Sequence, residues 1–188
     1  MNEPQFDPTT MRDVSIPISD LLRPALALSF VLLIVPVIPY FLMWGFPDSW
    51  KFGIGEVLLT FLGLALLVVA HEAVHALGWM IFGGVPISGI RFGIDKKSLS
   101  PYAHARVPMQ ATGYRIGAAL PLIITGILPT LIGTLIGHGW LVFLGAFMIM
   151  GAVGDLLILW AIRHVPGDAR VLDHPSNAGC YVLDNEST

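Results

Sequence analysis

The chain has 188 residues, of which 55% are hydrophobic and only 12% are charged, and its mean hydropathy is +0.75. A soluble domain is about a quarter charged, so lipid rather than water is the expected solvent. The net charge of −3 offers no basic face to a nucleic acid, and the single cysteine, Cys180, excludes an intrachain disulfide.

The first 20 residues are polar and slightly acidic. They lack the basic start of a signal peptide, and no small-residue cleavage site follows promptly, so the first apolar run reads as a retained span. That run, residues 24–44, carries no charge and is long enough to cross a bilayer. Pro36 and Pro39 predict a kink, which membrane helices tolerate. From Val57 to Ile90 the only charged residue is Glu72, and Gly83-Gly84-Val85-Pro86 stops the helix, giving a second span at about 55–82. From Ile116 to Ala161 the only charged residue is Asp155. At about 1.5 Å per residue against a hydrocarbon core of about 30 Å, that stretch is too long for one crossing. Gly137-His138-Gly139 is the natural turn, splitting it into 116–136 and 140–162. Gly133 and Gly137 have the GxxxG spacing of close helix contacts.

Between spans two and three, Ile90, Phe92 and Ile94 alternate with Gly89, Arg91 and Gly93. Beyond Asp95-Lys96-Lys97-Ser98, Tyr102, His104 and Arg106 share one face, opposite Ala103, Ala105 and Val107. Two matched alternations predict a β-hairpin at the membrane surface over about 87–107, pairing 87–94 with 101–107. The tail, 164–188, is rich in Gly, Pro, Asp and Asn and is expected to be irregular. The predicted fold is an all-α polytopic membrane protein, a single membrane domain over 1–188, with four transmembrane helices and one small hairpin. Arg12, Arg23, Arg91, Lys96, Lys97, Arg106, Arg115, Arg163 and Arg170 fall on one side of this arrangement, and only Lys51 on the other. The positive-inside rule then places both termini in the cytoplasm.

The chemistry is concentrated in His71-Glu72-Ala73-Val74-His75. Residues i and i+4 share a helix face, so two imidazoles can bind one zinc ion. Glu72 between them can take a proton from a metal-activated water. Two histidines and a glutamate inside a lipid-buried helix are costly unless used. A catalytic zinc site needs a third protein ligand. Asp155 is the best candidate. It is the only charge in spans three and four, and it lies eight residues before Arg163, as His75 lies eight before Gly83. His104 on the hairpin is the next candidate, and Asp173-His174 a third if the tail folds back under the membrane. His138, at the external turn, is too far away.

These features resemble the site-2 protease class of intramembrane zinc peptidases. More closely, the chain is similar to the small bacterial and archaeal zincin-like membrane proteins of the DUF3267 family. The family pattern stands here as HEAVHALGW at 71–79, LSPYAHARVPM at 99–109, Tyr114-Arg115 ahead of Pro121, Gly154-Asp155, and Asp173-His174-Pro175 with Gly179. The resemblance covers about 55–182. It implies zinc held by His71, His75 and Asp155, a catalytic Glu72, and a home in a bacterial or archaeal cytoplasmic membrane. In site-2 proteases the ligand aspartate precedes a glycine; here Asp155 follows Gly154 and precedes Leu156.

The leading expectation is a membrane-embedded zinc metallopeptidase acting on membrane or membrane-proximal protein or peptide substrates. Tyr102, His104, Asp173 and His174 are then candidates for second-sphere or substrate contacts. The alternative is a non-catalytic metal-binding membrane protein, structural or sensory. A metal transporter ranks last, because spans one and three carry no ionisable group. The expected partners are membrane lipid and a protein or peptide substrate, with no nucleic acid and the oligomeric state left open.

Overall fold

The computed structural model describes residues 11–46, 53–94 and 101–183. Lys51, Lys96, Lys97, the Asp95–Ser98 turn and the last five residues of the tail lie outside them.

Among the described residues, four helices are long and apolar enough to cross a membrane: Pro24–Trp44, Ile54–Gly83, Ala111–Ile136 and Gly139–Ala161. The first is built from α1 (Ile18–Ile34) and α2 (Ile38–Trp44), joined by a 3-10 turn at Val35–Val37 that contains Pro36. Proline lacks the N–H of the α ladder, which is why the break falls there. This helix is peripheral and presents Leu26, Phe30, Ile34 and Leu42 outward. The second span, α3 (Ile54–Gly83), is one unbroken helix of 30 residues, about 45 Å long. It stops at Gly84, whose φ of 66° suits glycine. The third span consists of α4 (Ala111–Pro121), a π-helical turn at Leu122–Ile127, and α5 (Leu128–Ile136). It begins five residues earlier than the hydropathy boundary at 116 suggests. Arg115 explains the difference: its guanidinium is spent on the Ile162 and Val165 carbonyls at the end of the fourth apolar helix, so the charge within this helix is met by carbonyls of the fold. The fourth span is α6 (Gly139–Gly151) and α7 (Val153–Ala161), separated by a break at Ala152.

The strands correct the all-α expectation. β2 (Ile90–Ile94) and β3 (Pro101–Ala105) form the hairpin between spans two and three, with Arg91 opposite His104 and Gly93 opposite Tyr102. It is shorter than 87–107, since Ile87–Gly89 is a 3-10 turn. A second, four-stranded antiparallel sheet has the order β1 (Met11–Ile16), β6 (Ala178–Leu183), β5 (Arg170–Asp173), β4 (Met109–Gln110). The tail expected to be irregular therefore folds as the β5–β6 hairpin. Its strands are short and polar-flanked, and each is stabilised by a partner distant in sequence: β6 pairs with β1, Val14 opposite Cys180, and β5 with β4, Met109 opposite Val171.

The sheets fix how the helix ends meet. β1 runs into α1, β2 leaves α3, β4 runs into α4 and β5 follows α7, so every strand lies at the same end of the four helices. The main apolar core sits at that junction. Trp79, Val85, Met109, Tyr114, Ile162, Val171 and Val182 pack there between helix ends and sheet. Spans two and three touch through small residues. A Cβ added at Gly78 would lie 2.7 Å from the Gly117 Cα, so the two backbones are in direct contact.

Candidate metal centre

Most of α3 faces outward, and its buried residues form one stripe: His71, His75, Ala76, Gly78 and Trp79. The stripe follows from helical periodicity, which puts i and i+4 on the face that meets α4. The two imidazole rings stand 4.9 Å apart, nearly edge to face. Asp155 comes from the first turn of α7, just beyond the Ala152 break. The helix N-terminus favours an anion there. His71 Nε2 lies 3.2 Å from Asp155 Oδ2, and His75 Nε2 lies 3.2 Å from Asp155 Oδ1.

The hydrogen bonds behind the rings show what these approaches are. His75 Nδ1 donates to the Gly117 carbonyl at 2.9 Å. A carbonyl can only accept, so Nδ1 carries a proton, and in the neutral ring it is the Nε2 lone pair that faces the carboxylate. His71 Nδ1 lies 3.4 Å from Thr125 Oγ1. Asp155 Oδ2 is shut off from solvent yet makes no hydrogen bond among the described residues. Acceptors meeting acceptors in a buried site are unfavourable unless a cation lies between them. Donor atoms about 2.0–2.2 Å from one ion at tetrahedral angles stand about 3.3–3.6 Å apart, close to the two observed separations. Among the described residues, the group that could hold a metal ion is His71, His75 and Asp155, with one ligand atom of each within 4.8 Å of the others. The donor set, two imidazoles and a carboxylate, suits zinc.

Glu72 projects from the same helix into the same cavity of about 260 Å³, whose walls include Trp79, Pro101, Tyr102, Tyr114, Ile158 and Asp173. Glu72 Oε2 accepts the Ala103 N–H at 2.7 Å. Ala103 lies on the edge of β3 away from β2, so the hairpin edge and the carboxylate share one wall.

Asp173 gathers three elements. It accepts the Tyr114 hydroxyl at 2.6 Å, the His104 Nδ1–H at 2.7 Å and the Ala105 N–H at 3.3 Å. Tyr114 in turn stacks on Trp79, and Trp79 on His75. The tail, hairpin and third span are thus tied to the ring of one candidate ligand. His104 spends Nδ1 on Asp173 and is not part of the cavity wall. His174 also lies off the wall. Its Nδ1 accepts the Ser176 and Asn177 N–H groups, capping the β5–β6 turn, and its ring packs on Tyr181. Cys180 is fully buried, and burial together with the nearby Asp173 charge pushes its thiol up to about 12, so it is an unreactive core residue.

Two groups beside the histidines, the Gly117 carbonyl and Thr125, were not singled out from the sequence. A backbone carbonyl leaves no side-chain signal, and a lone threonine in an apolar span reads as an ordinary back-bonded residue.

No curated protein and no solved structure matches the chain. The profile of one family, DUF3267, described as "Putative zincin peptidase", matches residues 64–170. That segment holds α3 from its middle onward, the hairpin, spans three and four, and hence every residue of the His71–His75–Asp155 group and Glu72. The family's description implies zinc. The chain belongs to the DUF3267 family.

Proposed function

We propose that the chain is a membrane-embedded zinc metallopeptidase of the site-2 protease type. His71, His75 and Asp155 hold the metal in this reading, and Glu72 is the catalytic acid–base. The observation that carries it is the convergence of two imidazole Nε2 atoms and a buried, unbonded carboxylate oxygen beside Glu72. A purely structural zinc site is closed by four protein ligands. Among the described residues three converge, and they line a cavity open to a further ligand.

Zinc, when bound, supplies Lewis acidity toward a carbonyl oxygen and toward water. The chain's own residues do the rest. Glu72 takes a proton from the attacking water and returns it to the leaving nitrogen, as general base and then general acid. The β3 edge binds the peptide in an extended conformation by strand addition, with the Ala103 N–H as donor once Glu72 has turned to water. Tyr102 and Pro101 line the approach. Asp173 holds the hairpin against the third span through His104, Ala105 and Tyr114.

The excess of Lys and Arg places the strand-bearing end in the cytoplasm. The pairing of β1 with β6 supports both termini lying on the same side. Substrates then enter from the cytoplasmic face of the bilayer.

Glu72→Gln keeps the size of the side chain and removes its basicity. Quantitative mapping of peptide termini in membranes carrying the wild-type or the variant protein is expected to show termini that vanish in the variant, while its zinc content is unchanged. Identical termini from the two would overturn the peptidase reading.

A further inference from the structure

A single irregularity in the third span lies behind both histidines. In a regular α-helix the carbonyl of residue 117 accepts the N–H of residue 121. That residue is Pro121, which has no N–H. The Gly117 carbonyl is therefore left for His75 Nδ1, at 2.9 Å. Immediately after Pro121 the helix widens into the π turn at Leu122–Ile127, a rare geometry frequent at functional sites. Thr125 lies within it and is only 3% exposed. Its hydroxyl donates to the Pro121 carbonyl at 2.7 Å. A hydroxyl has one proton. Turning that proton toward His71 would leave two oxygens 2.7 Å apart with nothing between them. What Thr125 offers His71 Nδ1, 3.4 Å away, is therefore a lone pair. Thr130 and Thr134 make the same back-bonds, to the Gly126 and Thr130 carbonyls, but among the described residues neither hydroxyl is hydrogen-bonded to a histidine.

We infer that Pro121 and Thr125 are positioning residues for the proposed metal site. Pro121 frees the acceptor that holds His75, and Thr125 supplies the one that holds His71. Together they keep both ring protons on Nδ1 and present both Nε2 lone pairs to Asp155. The inference rests on the reading above, but the ring tautomers can be tested without metal.

Thr125→Val removes the hydroxyl at nearly constant volume, and Thr125→Ser keeps it. In zinc competition against a chelator, Thr125→Val is expected to bind about 10- to 100-fold more weakly than wild type, the usual cost of losing a group that orients a ligand histidine. Thr125→Ser should bind like wild type. Nitrogen-15 NMR of histidine-labelled, metal-free protein at alkaline pH gives the second readout. The His71 proton should sit on Nδ1 in the wild type and in Thr125→Ser, and move toward Nε2 in Thr125→Val. Pro121→Ala restores an N–H that competes for the Gly117 carbonyl, and should move the His75 proton in the same sense. A wild-type protein that bound no zinc would defeat the functional reading, while the tautomers would still decide the inference. The inference is overturned if His71 keeps its Nδ1 proton in Thr125→Val, if Ser and Val at 125 behave alike, or if His75 is unmoved by Pro121→Ala.

Discussion

Asp155→Asn should change stability in opposite directions with and without zinc. In the metal-free protein both carboxylate oxygens face imidazole nitrogens at 3.2 Å, and Oδ2 has no hydrogen bond. Asparagine has the same shape but exchanges one oxygen for an NH2 group, which can donate to an Nε2 lone pair. Relieving one buried, unsatisfied acceptor is worth about 1–3 kcal/mol, so at alkaline pH, where both rings are neutral, the metal-free variant should be more stable than the metal-free wild type. With zinc the order inverts. Structural zinc binds with about 10–16 kcal/mol, and an equal share for each of three protein ligands is about 3–5 kcal/mol. At about 1.4 kcal/mol per decade, that is a loss of roughly 100- to several-thousand-fold in zinc affinity. The assay is denaturant unfolding in detergent, run once with excess chelator and once with zinc titrated in. His104→Ala is the control, since His104 contacts Asp173 rather than the candidate ligands. The reasoning is refuted if Asp155→Asn destabilises the protein equally with and without zinc, or if it retains wild-type zinc affinity.

Two further outcomes follow from the fold. A periplasmic-type reporter enzyme fused at Gly139 should be active outside the cytoplasm, and a fusion after Thr188 should be inactive there; an inside signal at Gly139 would reverse the orientation drawn from the Lys and Arg bias. Asp173→Asn should weaken the charge-assisted contacts to His104 and Ala105, each worth about 1.5–3 kcal/mol; hydrogen exchange at residues 102–105 should then quicken by roughly 10- to 100-fold with zinc stoichiometry unchanged, and unaltered protection would remove Asp173 as the anchor of the hairpin.

The spans were legible because lipid imposes a simple rule: about 20 residues without charge. Charge position misled only where Arg115 turns inward to cap another helix, which hydropathy has no means of seeing. The i, i+4 spacing of His71 and His75 fixed their common face without any tertiary information. Asp155 could be set level with them by counting residues from the helix ends, but its 3.2 Å approaches depend on the Ala152 break that starts α7 at the right place. The four-stranded sheet was not legible. β4 has two residues and β5 four, and the sheet forms only because strands from the two ends of the chain and from the segment before α4 come together in the order β1-β6-β5-β4. The π turn escaped notice for a similar reason: Pro121 predicts a disturbance in the ladder, but not which carbonyl is released or which ring takes it.

The most direct test of the proposed centre is the zinc K-edge X-ray absorption spectrum of the zinc-loaded protein. The account expects about one zinc per chain, with a first shell of nitrogen and oxygen donors at about 2.0–2.2 Å, imidazole outer-shell scattering from two rings, and loss of that scattering in His71→Ala with His75→Ala. A sulfur scatterer near 2.3 Å, or an unchanged spectrum in the double variant, would contradict it.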